Sequence, residues 1–267
     1  MTAALRVTLL GTGPSQGVPA VGGPDGTGLW GECDPGEPRN RRMRTSALVQ
    51  SADGRALLVD AGPDVRVQLM GARVTRLDGL LITHAHADHV AGLDELRAVN
   101  RSMGAVLPLY ASAATLEELK ARFGYAFLAP TGFFYRPVLD GQVVAPGRSV
   151  TLGGFHGELL DMDHGSMRSL GLRIGRFAYT TDVIRMPPDS LARLHGLDTW
   201  VVSCMQPGDQ NPVHAGLDQV LAWQREIRPR RTVLTHLGDR MDYARISARL
   251  PEGVELGFDG LTLEVPG

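Results

Sequence analysis

The sequence is poor in cysteine and lysine and contains no long apolar run. Its two cysteines, Cys33 and Cys204, lie far apart and form no CxxC pair, which disfavours a disulfide framework and favours a reducing compartment. No apolar stretch approaches the roughly 18 residues of a membrane span. The first residues also lack the charged-then-apolar pattern of a leader. We therefore expect a cytoplasmic protein without a membrane span.

The charge balance disfavours a nucleic-acid partner. The formal net charge is −2, and only Lys120 among the 27 basic residues is a lysine. The longest basic cluster contains Arg41, Arg42 and Arg44. Two interpretations stay open for it: a solvated loop face, or a phosphate-binding group, because arginine forks match phosphate oxygens.

The six residues from His84 to His89 (HAHADH) hold three of the eight histidines and one carboxylate. They follow an apolar, strand-like run that ends at Thr83. Imidazole and carboxylate together suit zinc, manganese or iron, and not calcium or magnesium alone. Two ligand types at alternating positions also favour two ions over one. The other interpretation, a polar loop that is rich in histidine by accident, fits this density poorly.

Three more ligand-type residues follow strand-like runs further along the chain. They are His164, Asp182 and His236. Rigid strand ends position ligands well, so four such ends on one rim predict a site with seven ligands: His84, His86, Asp88, His89, His164, Asp182 and His236.

The order of predicted elements indicates the fold class. Strands come first and mixed strands and helices follow, in two rough halves, which predicts an α/β protein built as a four-layer αββα sandwich. We expect residues 1–267 to form one domain, because no linker or short-period repeat interrupts them. Residues 123–146 form an aromatic, proline-punctuated insertion. It is interpreted either as a surface loop or as a lid or dimer contact.

These motifs resemble the metallo-β-lactamase superfamily over essentially the whole chain. Within it, the chain is most similar to the phosphoribosyl 1,2-cyclic phosphate phosphodiesterases of the PhnP type. The residues that carry this likeness are LLGTGPSQGVPA at 9–20, VDAG at 59–62, LITHAHADHVAGLDELR at 81–97, TTD at 180–182, VHAGL at 213–217, VLTH at 233–236 and LGFDGLTLEV at 256–265.

The resemblance implies a role for each ligand residue. One ion would be held by His84, His86 and His164 and the other by Asp88, His89 and His236, with Asp182 bridging both. The ions would be zinc or manganese, with iron as a further candidate, and they would share a hydroxide that attacks the substrate. An oxygen of Asp88 would orient that hydroxide.

Two residues outside the ligand set are singled out as well. The resemblance places His214 beside the metals, where it would provide a proton to the leaving oxygen. The alternative for His214 is a helix-capping or packed histidine. Asp60 is interpreted as a support for the motif loop or a ligand imidazole, or as a turn residue after a strand.

The chain departs from the family in the loop after GTG. PhnP-type relatives often carry a cysteine cluster there that binds a structural zinc, whereas this loop holds only Cys33. We expect the loop to be held by packing instead. The resemblance further implies a homodimer and a small phosphate-ester substrate.

The leading hypothesis is a binuclear-metal phosphodiesterase for small cyclic phosphates, such as phosphoribosyl 1,2-cyclic phosphate or 2′,3′-cyclic nucleotides. Alternatives within the superfamily are an RNase Z-like endonuclease, a lactone or thioester hydrolase, and a PqqB-like protein of cofactor biosynthesis. Outside catalysis, the alternative is a metal-stabilised binding module, whose effect would survive Asp88→Asn and His214→Ala.

Overall fold

Residues 4–129, 134–208 and 211–266 are described by a computed structural model, and they form two β-sheets of seven strands each. The first sheet has the order β14-β1-β2-β3-β4-β5-β6. Its strands are β1 (Leu5–Gly11), β2 (Ser46–Ser51), β3 (Ala56–Val59), β4 (Gly79–Leu81), β5 (Leu107–Ala111), β6 (Leu139–Val143) and β14 (Thr262–Val265). Strands β3 to β6 run parallel to one another, while β14, β1, β2 and β3 pair antiparallel.

The second sheet has the order β13-β12-β11-β10-β9-β8-β7. Its strands are β7 (Ser149–Leu152), β8 (Phe155–His164), β9 (Met167–Ile174), β10 (Phe177–Thr180), β11 (Thr199–Ser203), β12 (Arg231–Thr235) and β13 (Val254–Leu256). Strands β10 to β13 are parallel and β7 to β10 antiparallel. Each sheet therefore combines a parallel and an antiparallel part.

The two sheets pack face to face. Successive residues of a strand point to opposite faces, and apolar side chains occupy both faces, so one set forms the core between the sheets and the other packs on the outer side. In β3, Leu57 and Val59 join the cluster shared by the two sheets, whereas Leu58 packs on the opposite face. In β11, Val201 faces the shared core and Trp200 faces outwards, where it is fully buried.

Helices cover both outer faces. The described helices are α1 (Val65–Gly71), α2 (Ala87–Val90), α3 (Arg97–Met103), α4 (Ala113–Phe123), α5 (Pro188–Ala192), α6 (Leu217–Ile227) and α7 (Tyr243–Ser247), with 3-10 helices at Pro38–Asn40, Leu93–Leu96 and Gly124–Phe127. The first four α-helices pack on the first sheet and the last three on the second. The predicted αββα sandwich is thereby confirmed. Among the described helices, none has both the length and the apolarity to span a bilayer.

The segment 123–146 contributes to the fold. It contains the last residue of α4, a 3-10 helix and the edge strand β6, and Arg136 is buried with its guanidinium donating to the Leu128 and Ala129 carbonyls. Residues 130–133 of this predicted insertion lie outside the described residues. A role as lid or dimer contact stays a prediction.

Candidate metal centre

Four strand ends meet at one rim of the sandwich and carry the predicted ligands. His84 lies shortly after β4, His164 ends β8, Asp182 lies shortly after β10 and His236 directly follows β12. Ligands bind at the carboxyl ends of parallel strands in sheets of this kind, and β4, β10 and β12 are parallel to a neighbour. The structure thus brings together all seven residues that the sequence singled out as ligands.

One group of donors consists of three histidines, His84, His86 and His164, here called the three-histidine group. His86 Nδ1 lies 3.0 Å from His84 Nε2 and 3.2 Å from His164 Nε2. Neighbouring nitrogens bound to one tetrahedral zinc at about 2.0–2.1 Å lie roughly 3.3 Å apart. The spacing of the three nitrogens therefore fits a single ion.

A second group consists of Asp88, His89 and His236, here called the Asp88 group. Asp88 Oδ2 lies 3.3 Å from His89 Nε2 and 3.7 Å from His236 Nε2. Asp88 and His89 are consecutive residues of helix α2, so a single helical turn fixes the positions of both side chains. The carboxylate and two imidazoles match the donor set of a catalytic zinc or manganese site.

Asp182 lies between the two groups. Its Oδ1 is 3.6 Å from His164 Nε2 and 3.3 Å from His236 Nε2, and its Oδ2 is 3.3 Å from His89 Nε2. A carboxylate offers two oxygens whereas a neutral imidazole offers one free nitrogen, so this side chain is suited to span two ions.

Hydrogen bonds select the tautomer of three ring side chains. His89 Nδ1 contacts Asp60 Oδ2 at 2.7 Å, and His164 Nδ1 contacts the Val213 carbonyl at 2.8 Å. Both acceptors require an N–H at Nδ1, which leaves the Nε2 lone pair for a metal. His84 Nδ1 lies 3.0 Å from the Thr83 hydroxyl, which itself donates to Asp60.

Asp60 has the supporting geometry expected from the sequence. It is fully buried, and besides His89 it accepts the Thr83 N–H at 2.8 Å. One carboxylate therefore contacts a ligand of the Asp88 group directly and a ligand of the three-histidine group through Thr83. Sequence reasoning missed Thr83, although a hydroxyl side chain between the strand and the first histidine was visible.

Three residues at the same rim have strained backbone conformations. Asp60, Asp182 and His236 have φ values of 64°, 51° and 53°, in the left-handed region that non-glycine residues rarely occupy. Such conformations cost about 1–3 kcal/mol each and persist where the surrounding structure imposes them. Three strained residues at a single site indicate that side-chain placement there outweighs local backbone preference.

Several buried nitrogens of the rim have no hydrogen-bond partner among the described residues. They are His89 Nε2, His214 Nδ1 and both ring nitrogens of His236. Leaving a buried polar atom unsatisfied costs about 1–3 kcal/mol, so such atoms need an explanation. Together with the donor set and its spacing, they show that these residues fit two divalent metal ions.

Electrostatics keeps Asp182 ionised and His214 neutral. Burial raises the pKa of Asp182, but the neighbouring His236 and His89 rings outweigh it and hold the pKa well below its usual range. Burial and the nearby His236 ring lower the pKa of His214 to about 3. Burial lowers the pKa of His89 and of His236, but the neighbouring Asp182, with Asp60 beside His89 and Asp88 beside His236, raises both above the usual value. A bound metal ion would therefore take the place of a proton on each of these two rings.

His214 lies at the mouth of the centre, with its ring in contact with both groups. Its ring centroid is 4.7 Å from that of His236 and 4.8 Å from that of His164, and its Nδ1 is 3.7 Å from Asp182 Oδ1. Asn211, which sequence reasoning missed, holds this segment by accepting the N–H groups of Val213 and His214 at 3.0 and 2.9 Å. His214 therefore has a defined position beside the ligands, about one-tenth exposed.

The structure corrects one of the proposed phosphate-binding arginines. Arg42 is buried, and its guanidinium donates to the Gly238 and Met241 carbonyls, so it is not available to a phosphate. Arg44 pairs with Asp64 at 2.9 Å and is partly buried. Arg41 is exposed and its guanidinium lies over the Trp30 ring.

The loop around Cys33 is held by polar contacts in addition to packing. Cys33 is buried and donates from Sγ to the Asp239 carbonyl at 3.3 Å. Asn40 donates to Asp242 Oδ2 at 2.7 Å. The expectation that packing alone holds this loop was incomplete, since residue types do not show which polar groups become buried together.

A comparison with protein families identifies the class. Residues 55–237, more than half of the chain, match the model of the β-lactamase superfamily domain. The chain belongs to this superfamily, and its fold and its histidine–aspartate centre are those of a metallo-hydrolase.

The most informative similarity is to a solved structure described as a new diphosphatase from the PhnP family. It is 31% identical, with a TM-score of 0.87, over 99% of this chain and 98% of that one. An octanoyltransferase of Porphyromonas gingivalis is 30% identical over 96% of this chain, which spans about half (51%) of that protein's length. A coenzyme PQQ synthesis protein B of Methylorubrum populi is 26% identical over 86% of this chain and 90% of that protein.

Proposed function

We propose that this protein is a binuclear metal-dependent phosphodiesterase that acts on small cyclic phosphates, such as phosphoribosyl 1,2-cyclic phosphate or 2′,3′-cyclic nucleotides. The observation that carries the proposal is the position of Asp182 between two complete donor groups. Two sites that share a carboxylate suit in-line displacement at phosphorus, where attacking and leaving oxygens both need stabilisation.

The chain's own residues have defined tasks in this proposal. The three-histidine group would hold one ion, the Asp88 group the other, and Asp182 both. Bound zinc or manganese would supply Lewis acidity at phosphoryl oxygens and favour ionisation of water near neutral pH. Asp88 accepts a hydrogen bond from the attacking water and so orients it towards phosphorus.

His214 is assigned to the leaving oxygen. Its pKa of about 3 makes it a neutral imidazole at pH 7, with one N–H to donate. An alkoxide leaving group needs a hydrogen bond or a proton as the P–O bond breaks. The ring's place at the mouth, in contact with both groups, allows it to reach that oxygen.

The substrate class draws support from the 31% identical diphosphatase, because hydrolysis at phosphorus is the chemistry of that relative as described. Of the three arginines considered for phosphate, Arg41 and Arg44 remain candidates. Arg41 is the more accessible, and its neighbour Trp30 offers an aromatic face on the same loop.

The test uses the full chain loaded with zinc or with manganese. Substrates are a ribosyl 1,2-cyclic phosphate, a 2′,3′-cyclic nucleotide, an aryl phosphodiester and a nucleoside diphosphate. We expect turnover of the cyclic esters, a loss of about 10²-fold or more in kcat for His214→Ala, and no change for His195→Ala, an exposed histidine after α5. Metal-loaded protein that turns over no cyclic or aryl phosphodiester would contradict the proposal.

A second candidate is a PqqB-like role in cofactor biosynthesis, which the relative from M. populi favours through its coverage of nearly the whole chain. Lactone and thioester hydrolysis and RNase Z-like cleavage of RNA complete the alternatives, although the net charge of −2 gives no electrostatic basis for RNA binding. A lactone, a thioester and a precursor tRNA in the same assay separate these activities.

A further inference from the structure

His236 differs from the three other buried ligand histidines in how its ring is held. His84, His89 and His164 each have a hydrogen-bond partner at Nδ1, namely Thr83, Asp60 and the Val213 carbonyl. His236 Nδ1 is buried without a partner among the described residues. Its orientation therefore depends on the backbone, which is strained at this residue with φ of 53°.

Four contacts hold the backbone directly after His236. The Leu237 N–H donates to the Thr12 carbonyl at 2.7 Å, and the Gly238 N–H donates to the Met205 carbonyl at 3.0 Å. The Gly238 carbonyl accepts from Arg42 Nη1 and from the Met241 N–H, both at 3.1 Å. Gly238 is also tightly enclosed, since a Cβ atom there would lie 2.5 Å from the Met205 carbonyl oxygen.

Among these contacts, Arg42 is the one that a side-chain substitution can remove. Its guanidinium donates to Gly238 and, from Nη2, to the Met241 carbonyl at 2.5 Å. Nη2 also donates to Asn40 Oδ1 at 3.1 Å. A single side chain thereby joins the loop that carries Asn40 to both ends of the segment 238–241.

Arg42 is only 3% exposed, although a buried guanidinium is costly to desolvate. Part of this cost is offset because both Nη atoms find buried acceptors, namely the Gly238 and Met241 carbonyls and Asn40 Oδ1. General loop attachment does not require this arrangement, because Glu32 already links the same loop to Arg240 and Arg245 at the surface.

We propose that Arg42 is a positioning residue for the metal centre: by fixing the Gly238 and Met241 carbonyls it holds His236 in the strained conformation that directs its Nε2 towards Asp88 and Asp182. The proposal rests on the metal-binding part of the proposed function. It is independent of the substrate.

The test measures metal binding to the purified full chain by calorimetry and by the absorption spectrum of the cobalt-substituted protein. The variants are Arg42→Met, which keeps bulk and removes the donors, and Arg42→Lys, which keeps the charge and can reach one carbonyl. Glu32→Gln is the matched control, because it weakens the surface link of the same loop without touching Gly238. Circular dichroism confirms that each variant is folded.

We expect two ions in the wild type. Arg42→Met should weaken one of them about 10- to 100-fold, as substitutions of residues that orient ligands do. Arg42→Lys should weaken the same ion less, and Glu32→Gln should leave both unchanged. In a His236→Ala background, Arg42→Met should have no further effect on the remaining ion, because the residue acts through His236.

Unchanged binding of both ions in folded Arg42→Lys and Arg42→Met would overturn the proposal, and so would equal weakening of both ions. If Arg42→Met does not fold, Arg42→Lys decides alone. A wild type that binds two ions but hydrolyses no phosphodiester would contradict the proposed function and leave this inference intact.

Discussion

The two halves of the metal centre are built in different ways. The first sheet delivers His84, His86, Asp88 and His89 from one turn after β4, and a side chain, Asp60, holds part of that turn. The second sheet delivers its donors from three separate strand ends, β8, β10 and β12. There the supports are backbone groups, such as the Val213 carbonyl behind His164 and the enclosed peptide after His236.

This difference decides how each half responds to mutation. Support by a side chain can be removed in one substitution, and its loss acts on the ligand next to it. Support by backbone groups persists in most substitutions of the ligand's neighbours. A substitution weakens it only at a distant residue that holds the backbone in place, such as Arg42. We expect large effects where the halves join, intermediate effects where one buried side chain holds a ligand or the backbone beside it, as Asp60 and Arg42 do, and small effects from supports one step further away.

The largest effect is expected at Asp182, where the halves join. Asp182→Asn removes the charge and one of the two oxygens that face both groups, so binding of both ions should weaken. We predict a fall in kcat/KM of about 10³-fold or more, equal to roughly 4 kcal/mol of transition-state stabilisation. Metal content and kinetics measure it, with Asp161→Asn, a half-buried carboxylate that pairs with Arg168, as control. Loss of only one ion would show that Asp182 belongs to one half.

An intermediate effect is expected at Asp60 in the first half. Asp60→Asn replaces the carboxylate that orients His89, and such supports are worth about 10- to 100-fold in metal affinity. Calorimetric titration with zinc measures the change. The control is Asp78→Asn, a carboxylate that accepts the Ala56 N–H away from the centre. Wild-type affinity in Asp60→Asn would mean that backbone holds the first half as well.

The smallest effect on the metal centre is expected at Asp259, a support of the second half that is one step further away and whose substitution is measured through stability. It accepts the Thr12 N–H and hydroxyl, both at 2.8 Å, and the Thr12 carbonyl in turn holds Leu237. Burial raises the pKa of Asp259 from 3.8 to about 6. The folded protein thus binds more protons than the unfolded chain between these values, so this contribution to stability is present below about pH 4 and is lost as pH rises through about 6.

Asp259→Asn cannot titrate in this window. The difference in unfolding free energy between wild type and variant should therefore fall as pH rises from about 4 to about 6 and stay level above it. Urea unfolding at four pH values measures the difference. A difference that grows with pH across the same window would show that the Thr12 and Met43 donors outweigh burial.

The sequence predicted the fold and the grouping of ligand residues well, because both depend on short-range patterns. The four donor residues between His84 and His89 lie within six positions of the sequence, so they are close in space independently of long-range contacts. His164, Asp182 and His236 were found because each closes an apolar run, and strand ends in a layered α/β fold share a rim.

Helix lengths were predicted less well, since tertiary contacts interrupt the pattern. The apolar spacing of Val90, Leu93, Leu96 and Val99 indicates one helix after the motif, but the chain forms α2, a 3-10 turn and α3. Gly92 lies against the Gly62 carbonyl, where a Cβ atom would be 2.0 Å from the oxygen, and this close approach bends the chain. Likewise, the sequence between Asp239 and Leu250 predicts one helix, but the chain forms only the shorter α7, which begins after its cap Asp242.

The sequence by itself determined which residues can bind metal and which strands carry them, because ligand chemistry and hydrophobic period are local properties. Only the tertiary structure decided whether each charged residue is exposed, buried or paired with an opposite charge. Arg41, Arg42 and Arg44 are alike in sequence, yet one is exposed over Trp30, one is buried against two carbonyls and one is paired with Asp64. Burial depth and the positions of carbonyl groups from distant segments set these outcomes, and both arise only when the two sheets and their loops pack together.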